Sequence, residues 1–328
     1  MVIEILQALR DCKDYISGEA LSDTLKVSRA AIHQSINNLR KEGYEIEAKQ
    51  NRGYKLISSP DFIDKKELSA FLSKERMENI ETHDELTSTN TYLNALAHQG
   101  NTQVQVVLAD FQSQGKGRLG RSFLTLPGKG VYLSYLFKPQ TKPQDTAMVT
   151  AWVAVAVYRV LKRLYQIDLE IKWVNDLIFQ GKKIGGILTE MAVESESGLI
   201  QHIIIGVGLN IGQEEQDFPD DLKEKAGSLF METGKRIKRA EIAAALITEL
   251  DLLAEDWPQE NEQYLKIYKE HCLNIGQELY VFRNEQTISA QALDWDEQFG
   301  LIVQYPNGVK ETLRSGEVQV RGKSGYIL

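Results

Sequence analysis

The chain has 328 residues and a formal net charge of −8 at pH 7, with 42% hydrophobic and 26% charged residues. This balance is typical of a globular protein and excludes a low-complexity chain, and the length suits two or three domains. Cys12 and Cys272 lie far apart without metal-ligand spacing. A disulfide framework or a zinc site is therefore disfavoured, and a reducing compartment is favoured.

The first residues alternate charge with helix-spaced apolar side chains, so we expect no signal peptide. The longest apolar run, residues 148–161, is too short to cross a bilayer and predicts a buried helix. We therefore expect a cytoplasmic protein that does not contact a membrane.

The first sixty residues have the pattern of a winged helix-turn-helix. Ser28 is a good N-cap for a helix with apolar residues every three or four positions, and residues 44–49 and 53–57 alternate like the two strands of a hairpin. Residues 26–55 hold seven Lys or Arg against three Glu, within an otherwise acidic chain. A module with one basic face binds a polyanion locally.

A recognition helix presents polar side chains to bases, while its N-terminus and the wing hold phosphates. The candidate DNA contacts lie on the predicted recognition helix, at its N-terminus or on the wing. They are Ser28, Arg29, Ala30, His33, Gln34, Asn37 and Arg52. A protein-binding winged helix, or a merely solvated polar face, is the alternative. Pro60 and its polar neighbours predict a domain boundary, which we place after residue 62.

Three short motifs of the central region have both a structural and a functional interpretation. The polar run Ser88-Thr89-Asn90 either caps a helix or binds a polar head group. The loop "GKGRLGR" (residues 115–121), between two predicted strands at 102–110 and 130–137, either binds an anion or is a flexible surface turn. It does not match the "GxxxxGK[ST]" phosphate loop, so a nucleoside triphosphatase is disfavoured.

The segments "IKWVNDLIFQGKKIGGILTEM" and "LIQHIIIGVGLNIG" predict antiparallel strands. Glycine is disfavoured inside strands, so Gly185, Gly186, Gly206 and Gly208 indicate either the close approach of a ligand or a bulge with tight packing. By default Lys183 is a surface cation and Trp173 a core residue. Two helices follow, over about residues 239–257 and 261–272, and the tail predicts about five short strands in a small barrel.

Taken in order, the winged helix, "STN", the Gly/Arg loop, "KWVND", "KKIGG", "IGVGLN" and the tail resemble one family over nearly the whole chain. This family comprises the bifunctional biotin protein ligases that also repress the biotin operon. The resemblance implies an α+β protein of three domains: residues 1–62 as winged helix, 63–272 as a class II synthetase-like catalytic domain with a mixed sheet, and 273–328 as an SH3-like barrel.

The resemblance also implies the chemistry. Such enzymes join biotin to ATP with Mg²⁺ as biotinyl-5′-AMP, then biotinylate one lysine of the biotin carboxyl carrier protein domain of acetyl-CoA carboxylase or another biotin enzyme. The implied catalytic residues are Lys183, Arg118 and Asp176, the last also as a Mg²⁺ ligand. The implied biotin contacts are Ser88, Thr89, Asn90, Gln112, Lys116, Gly117, Arg118, Lys183, Gly186, Gly206 and Gly208. The implied ATP contacts are Lys172, Asn175, Asn210, Arg121 and Phe123. Further implied partners are operator DNA and, with biotinyl-5′-AMP bound, a second copy of the chain.

The sequence departs from the family at four positions. The family loop usually runs "GRGRRGRxW", whereas this chain has Lys116, Leu119 and Phe123, and Val174 replaces the usual Pro. Lysine keeps the charge but not the bidentate fork of arginine, and phenylalanine keeps a flat face of smaller area.

Three other functions stay open at this point. A lipoate ligase shares the catalytic fold but would lack the winged helix. A DNA-binding biotin sensor without transfer activity would not need both Lys183 and Arg118. A ligase that no longer binds an operator would not need the basic segment 26–55.

Overall fold

The computed structural model describes residues 1–139, 142–143, 146–194, 196–283, 286–314 and 319–322. They fall into two compact units, Met1–Glu78 and a second one that begins at Asn79. The first unit extends past the expected boundary at residue 62 because Glu67 is tied to it. The buried Glu67 carboxylate accepts hydrogen bonds from Arg10 at 2.5 Å and from Tyr44 at 2.7 Å.

The first unit is a three-helix core with a two-stranded wing. Its helices are α1 (Val2–Asp11), α2 (Gly18–Leu25), α3 (Arg29–Lys41), α4 (Lys65–Leu68) and α5 (Lys74–Met77). Its antiparallel strands are β1 (Glu45–Lys49) and β2 (Gly53–Ser58). The Ser28 hydroxyl accepts from the Ala31 amide at 3.2 Å and so begins α3 as predicted. Apolar side chains of α1, α2 and α3 form the core, among them Ile5, Leu6, Leu21, Ile32, Ile36 and Leu39.

The second unit is built on a mixed seven-stranded sheet. Its strands are β3 (Ile80–Leu86), β4 (Val106–Gln112), β5 (Gly130–Phe137), β6 (Glu170–Lys172), β7 (Asp176–Phe179), β8 (Lys182–Val193) and β9 (Ile200–Asn210). Their order is β3-β4-β5-β9-β8-β7-β6, and only the β3–β4 pair is parallel. The helices are α6 (Thr89–His98), α7 (Thr146–Tyr165), α8 (Asp220–Lys223), α9 (Leu229–Thr233), α10 (Arg239–Asp256) and α11 (Asn261–His271).

Helices cover both faces of the central strands. Leu136 of β5 packs against Leu93 of α6, while the neighbouring Tyr135 hydroxyl donates to Asp251 of α10 at 2.9 Å. The strand expected at residues 102–110 therefore differs from its prediction. It starts only at Val106 and is buried on both faces rather than alternating, because an inner strand covered on both sides has no solvent face.

Five antiparallel strands follow α11. They are β10 (Glu278–Arg283), β11 (Gln286–Trp295), β12 (Leu301–Gln304), β13 (Lys310–Leu313) and β14 (Gln319–Gly322), in the order β13-β12-β11-β10-β14. The expected strand count is confirmed, while closure into a barrel stays a prediction. Within the parts of the chain described above, no helix has the length and apolar character needed to cross a bilayer.

Candidate active site

A cavity of about 390 Å³ lies in the second unit, beside the glycine-containing parts of β8 and β9. Every residue that the sequence suggested for biotin, ATP or catalysis lines this cavity, although these residues are spread from Ser88 to Asn210. Its lining also includes residues not anticipated, such as Leu124, Leu133, Trp173, Leu188, Phe218 and Lys225.

The Gly/Lys/Arg loop is a short hairpin over the cavity. The Gly117 amide donates to the Arg121 carbonyl at 2.7 Å, and the Phe123 amide donates to the Gly115 carbonyl at 2.8 Å. Leu119 and Gly120 have φ of 57° and 73°, the pair of left-handed residues that a tight type I′ turn requires. Of the three glycines within residues 115–121, only Gly120 adopts a positive φ.

Arg118 is held toward the cavity by the β6–β7 turn. Its guanidinium donates to the Asn175 side-chain oxygen at 3.2 Å. Burial lowers the pKa of Arg118, whereas the nearby Asp176 carboxylate acts in the opposite direction. Since arginine stays charged in proteins, this half-buried guanidinium is a fixed positive charge.

Lys183 is a further cation that pairs with this turn. Its ammonium lies 2.5 Å from Oδ1 of Asp176, and both side chains are largely shielded from solvent. The Lys183 backbone is fixed as well, because its amide donates to the Lys225 carbonyl and its carbonyl accepts from the Gly227 amide. The stem of Lys183 passes over Gly186, where an added Cβ would lie 3.5 Å from Cε. Lys183 is thus partly buried and ion-paired, which the default interpretation as a surface cation did not include.

The cavity is strongly cationic. Its described lining carries six basic side chains, Lys116, Arg118, Arg121, Lys172, Lys183 and Lys225, against the single carboxylate of Asp176. Lys172 is only 3% exposed. This concentration stands out in a chain of net charge −8, since burying cations together is costly unless anions join them.

The other part of the cavity is lined by the neutral polar groups of Thr89, Asn90 and Gln112, which belong to a buried network that also includes Ser134 and Glu190. Gln112 Oε1 accepts from the Thr89 amide at 2.8 Å and lies 3.0 Å from the Thr89 hydroxyl. Ser134 Oγ lies 2.8 Å from Thr89 Oγ1 and 2.6 Å from Asn90 Oδ1. The Asn90 amide donates to Glu190 at 2.8 Å. Such connected groups hold a fixed pattern of donors and acceptors for a polar ligand.

The capping interpretation of the Ser88-Thr89-Asn90 run is confirmed, and binding of a polar head group stays a prediction. Ser88 is the N-cap of α6, and its hydroxyl accepts from the Thr91 amide at 3.4 Å. Thr89 and Asn90 belong to the buried network just described. Sequence reasoning missed Ser134 and Glu190. The signal for Ser134 was a serine within the otherwise apolar and aromatic strand "GVYLSYLF", and Glu190 had none.

The cavity glycines leave room for protein side chains. A Cβ on Gly206 would lie 2.3 Å from Asn90 Oδ1, and one on Gly208 would lie 2.7 Å from the Phe123 ring. Because Gly206 has no side chain, the Asn90 side chain can lie against the sheet there. Gly208 leaves the corresponding space for the Phe123 ring. Tight packing was one of the two interpretations of these glycines, and the family resemblance had implied the other, space for a ligand.

Two of the residues that the resemblance assigns to ATP, Asn175 and Asn210, form side-chain hydrogen bonds within the protein. Asn175 donates to the Ile187 carbonyl at 2.9 Å in addition to accepting from Arg118. Asn210 donates to the Gly227 carbonyl at 3.0 Å and accepts from Gln213 at 3.1 Å. Asn210 thus anchors the 213–227 segment, which supplies Phe218, Leu222, Lys225 and Ala226 to the cavity.

The candidate DNA-contacting residues lie in the first unit. Ala30, His33 and Gln34 are exposed on α3. Arg29 is paired with Glu19, and Arg52 is paired with Asp14 and lies 4.6 Å over the Tyr15 ring. Exposed ion pairs of this kind are weak.

Fold and cavity together define a class, a ligase-type catalytic domain preceded by a helix-turn-helix. Residues 83–210 match the Biotin/lipoate A/B protein ligase family, and residues 2–55 match an HTH domain. The solved biotin protein ligase from Aquifex aeolicus in complex with biotin and ATP is similar at a TM-score of 0.64 and 25% identity. That match covers 75% of this chain and 100% of that one.

Two curated relatives extend the match to nearly the full length. The bifunctional ligase/repressor BirA of Bacillus subtilis (strain 168) is 34% identical over 300 residues, which cover 91% of this chain and 92% of the relative. The protein of the same name from Escherichia coli (strain K12) is 27% identical over 310 residues and 94% of each chain. The chain therefore belongs to the family of bifunctional biotin protein ligases and repressors.

Proposed function

We propose that the protein is an ATP-dependent biotin protein ligase that also represses transcription in response to biotin. The observation that carries this proposal is the cavity lining, in which six cations and one carboxylate adjoin a buried neutral polar network. The Aquifex aeolicus relative is described with biotin and ATP, the two substrates whose union requires such a site.

The neutral network suits the ureido ring of biotin. A ureido group has two N–H donors and one carbonyl acceptor, and Thr89, Asn90 and Gln112 of the cavity lining offer matching hydroxyl and amide groups. Asn90 and Ser134 are held by Glu190 and by each other, so the ring would bind groups that are already oriented.

The cationic part suits two anions that must meet. In the first step a biotin carboxylate oxygen attacks the α-phosphorus of ATP, the bond to the bridging oxygen breaks, and pyrophosphate leaves. Lys183 and Arg118 would offset the repulsion between the anions and the charge that grows on the α-phosphate. Lys172, Lys116, Arg121 and Lys225, which line the same cavity, would neutralise the remaining phosphates.

The second step transfers biotin to a lysine of a biotin carboxyl carrier protein domain. The lysine amine attacks the acyl carbon of biotinyl-5′-AMP, the bond from that carbon to the phosphate oxygen breaks, and AMP leaves. Asp176 would orient the amine and accept its proton. The hairpin at 115–123 would cover the anhydride and exclude water before the carrier arrives.

Magnesium fits this site only together with ATP. The described residues include no group of three metal-ligating side chains, and Asp176 is the one carboxylate of the described lining. Mg²⁺ is commonly held by one or two carboxylates plus substrate phosphates. When bound there it would neutralise phosphate charge and orient the leaving pyrophosphate.

The first unit would act as the repressor. α3 would enter the major groove of operator DNA with Ala30, His33, Gln34 and Asn37, while Ser28 and Arg29 at its start and Arg52 on the wing hold phosphates. Homodimerisation with biotinyl-5′-AMP bound would present two such units to a palindromic site. We further propose a cytoplasmic location and a closed barrel for the C-terminal strands.

One incubation tests the enzymatic part. The protein is mixed with ATP, Mg²⁺, a carrier domain and either labelled biotin or labelled lipoate. We expect covalent label on the carrier from biotin and none when ATP is omitted. Label from lipoate alone would support a lipoate ligase instead, and no label from either would contradict the ligase function.

A further inference from the structure

The chain that leaves α11 lies along the edge strand of the catalytic sheet. Cys272 forms a parallel bridge with Ile171 of β6, and the Leu273 amide donates to the Ile171 carbonyl at 2.9 Å. The link to the C-terminal strands is thus laid directly against the strand that carries Lys172 into the cavity.

Asn274 continues this contact with a side-chain hydrogen bond. It is fully buried, and its Oδ1 accepts from the Trp173 amide at 2.7 Å. The Trp173 indole donates to the Phe299 carbonyl at 3.1 Å. Both donors of Trp173, a residue of the cavity wall, therefore end on groups of the C-terminal region.

Trp173 begins the turn whose residues pair with Arg118 and Lys183. Asn175, two residues further on, accepts from Arg118, and Asp176 pairs with Lys183. A shift of the turn at Trp173 would therefore move the partners of both Arg118 and Lys183 at once.

Asn274 destabilises the fold more than a residue that only filled this space would. Among the residues that the structure describes, its Nδ2 is buried without a hydrogen-bond partner. A buried donor without a partner destabilises the fold, and an apolar residue of equal size would avoid that cost. What an apolar residue would lose is the acceptor for Trp173.

We propose that Asn274 is a positioning residue for adenylate formation. It fixes the turn from Trp173 to Asp176 and so holds Arg118 and Lys183 where biotin carboxylate and α-phosphate meet. The proposal rests on the ligase function argued above. Because misplacement of catalytic groups by about 1 Å costs on the order of 100-fold in rate, loss of this contact should affect chemistry more than binding.

The test compares Asn274→Leu and Asn274→Ala, which lack the acceptor, with Asn274→Asp, which keeps an oxygen in either protonation state. Asn261→Ala is the control, because Asn261 Oδ1 also accepts from a tryptophan N–H, in this case the indole of Trp152 at 3.1 Å, and Asn261 does not line the cavity. Adenylate formation is measured as pyrophosphate release without carrier, and biotin affinity is measured without ATP.

We expect the two acceptor-free variants to lose about 10- to 100-fold in kcat, with biotin affinity within about threefold of the parent. Asn274→Asp should recover most of kcat, and Asn261→Ala should keep it. A kcat within twofold of the parent in both acceptor-free variants would overturn the proposal. An equal loss in Asn261→Ala, or no recovery in Asn274→Asp, would do the same.

A second readout does not depend on activity. With ¹⁵N-labelled tryptophan, the four Trp amides can be followed separately by hydrogen exchange. The Trp173 amide should exchange at least about tenfold faster in Asn274→Leu than in the parent or Asn274→Asp. Unchanged exchange would refute the role of Asn274 even if the parent proved inactive on biotin. An inactive parent with faster exchange would instead contradict the ligase function.

Discussion

Replacing Gly206 by alanine should damage the polar network of the cavity. The new Cβ would lie 2.3 Å from Asn90 Oδ1, a distance that heavy atoms do not tolerate, so Asn90 must move. Asn90 then loses its contacts with Ser134 at 2.6 Å and with Glu190 at 2.8 Å. Gly186→Ala is the matched control, because its Cβ would meet nothing closer than 3.5 Å.

The size of the loss follows from what is left unpaired. A buried polar group without a partner costs about 1–3 kcal/mol, and both Asn90 and Ser134 are buried. Glu190 is partly exposed and regains water, so we expect about 2–4 kcal/mol for Gly206→Ala. Gly186→Ala should stay within about 1 kcal/mol, because alanine also restricts the unfolded chain.

Urea unfolding of the second unit and calorimetric titration with biotin provide the assay. We expect Gly206→Ala to lower the free energy of unfolding and to weaken biotin binding by at least about tenfold, with Gly186→Ala near the parent in stability. In an Asn90→Ala background the added methyl has room, so the stability penalty should largely vanish. A full penalty in that background, or equal penalties for the two glycines, would refute the reasoning.

Two further predictions concern titration and DNA. His202 is buried, its Nε2 donates to Asn94, and burial, with His98 nearby, lowers its pKa below 6.5. Because His202 binds a proton more readily in the unfolded state, the free energy of unfolding should fall as the pH drops below about 6.5. In denaturant titrations at several pH values, His202→Gln should show a weaker pH dependence. Arg52→Ala should reduce the slope of log K against log salt by about 0.9 in DNA binding, and an unchanged slope would exclude a phosphate contact.

Local pattern was enough to predict most elements of the fold. Ser28 begins α3, and the antiparallel run from β6 to β9 is as expected, because capping and turn chemistry act between neighbours in sequence. The start of β4 and its burial on both faces were not predictable. The burial depends on tertiary contacts, such as Val107 packing with Leu93 of α6 and Asp110 pairing with Arg239 of α10.

The site was predictable in composition but not in geometry. The suggested residues line one cavity, yet the partners of Gly206 and Gly208 proved to be Asn90 and Phe123. Asn274 carried no signal at all, since a single asparagine after a helix resembles an ordinary turn residue. Contacts between residues about one hundred positions apart become visible only once the chain is folded.

The most direct measurement of the central claim is biotin-dependent exchange of labelled pyrophosphate into ATP, by the parent and by Lys183→Ala. Exchange reports the union of biotin carboxylate and α-phosphate alone, without any carrier protein. We predict exchange by the parent only when biotin and Mg²⁺ are present, and its loss in Lys183→Ala with the thermal unfolding midpoint little changed. Exchange of normal rate in Lys183→Ala, or none in the parent, would contradict the account.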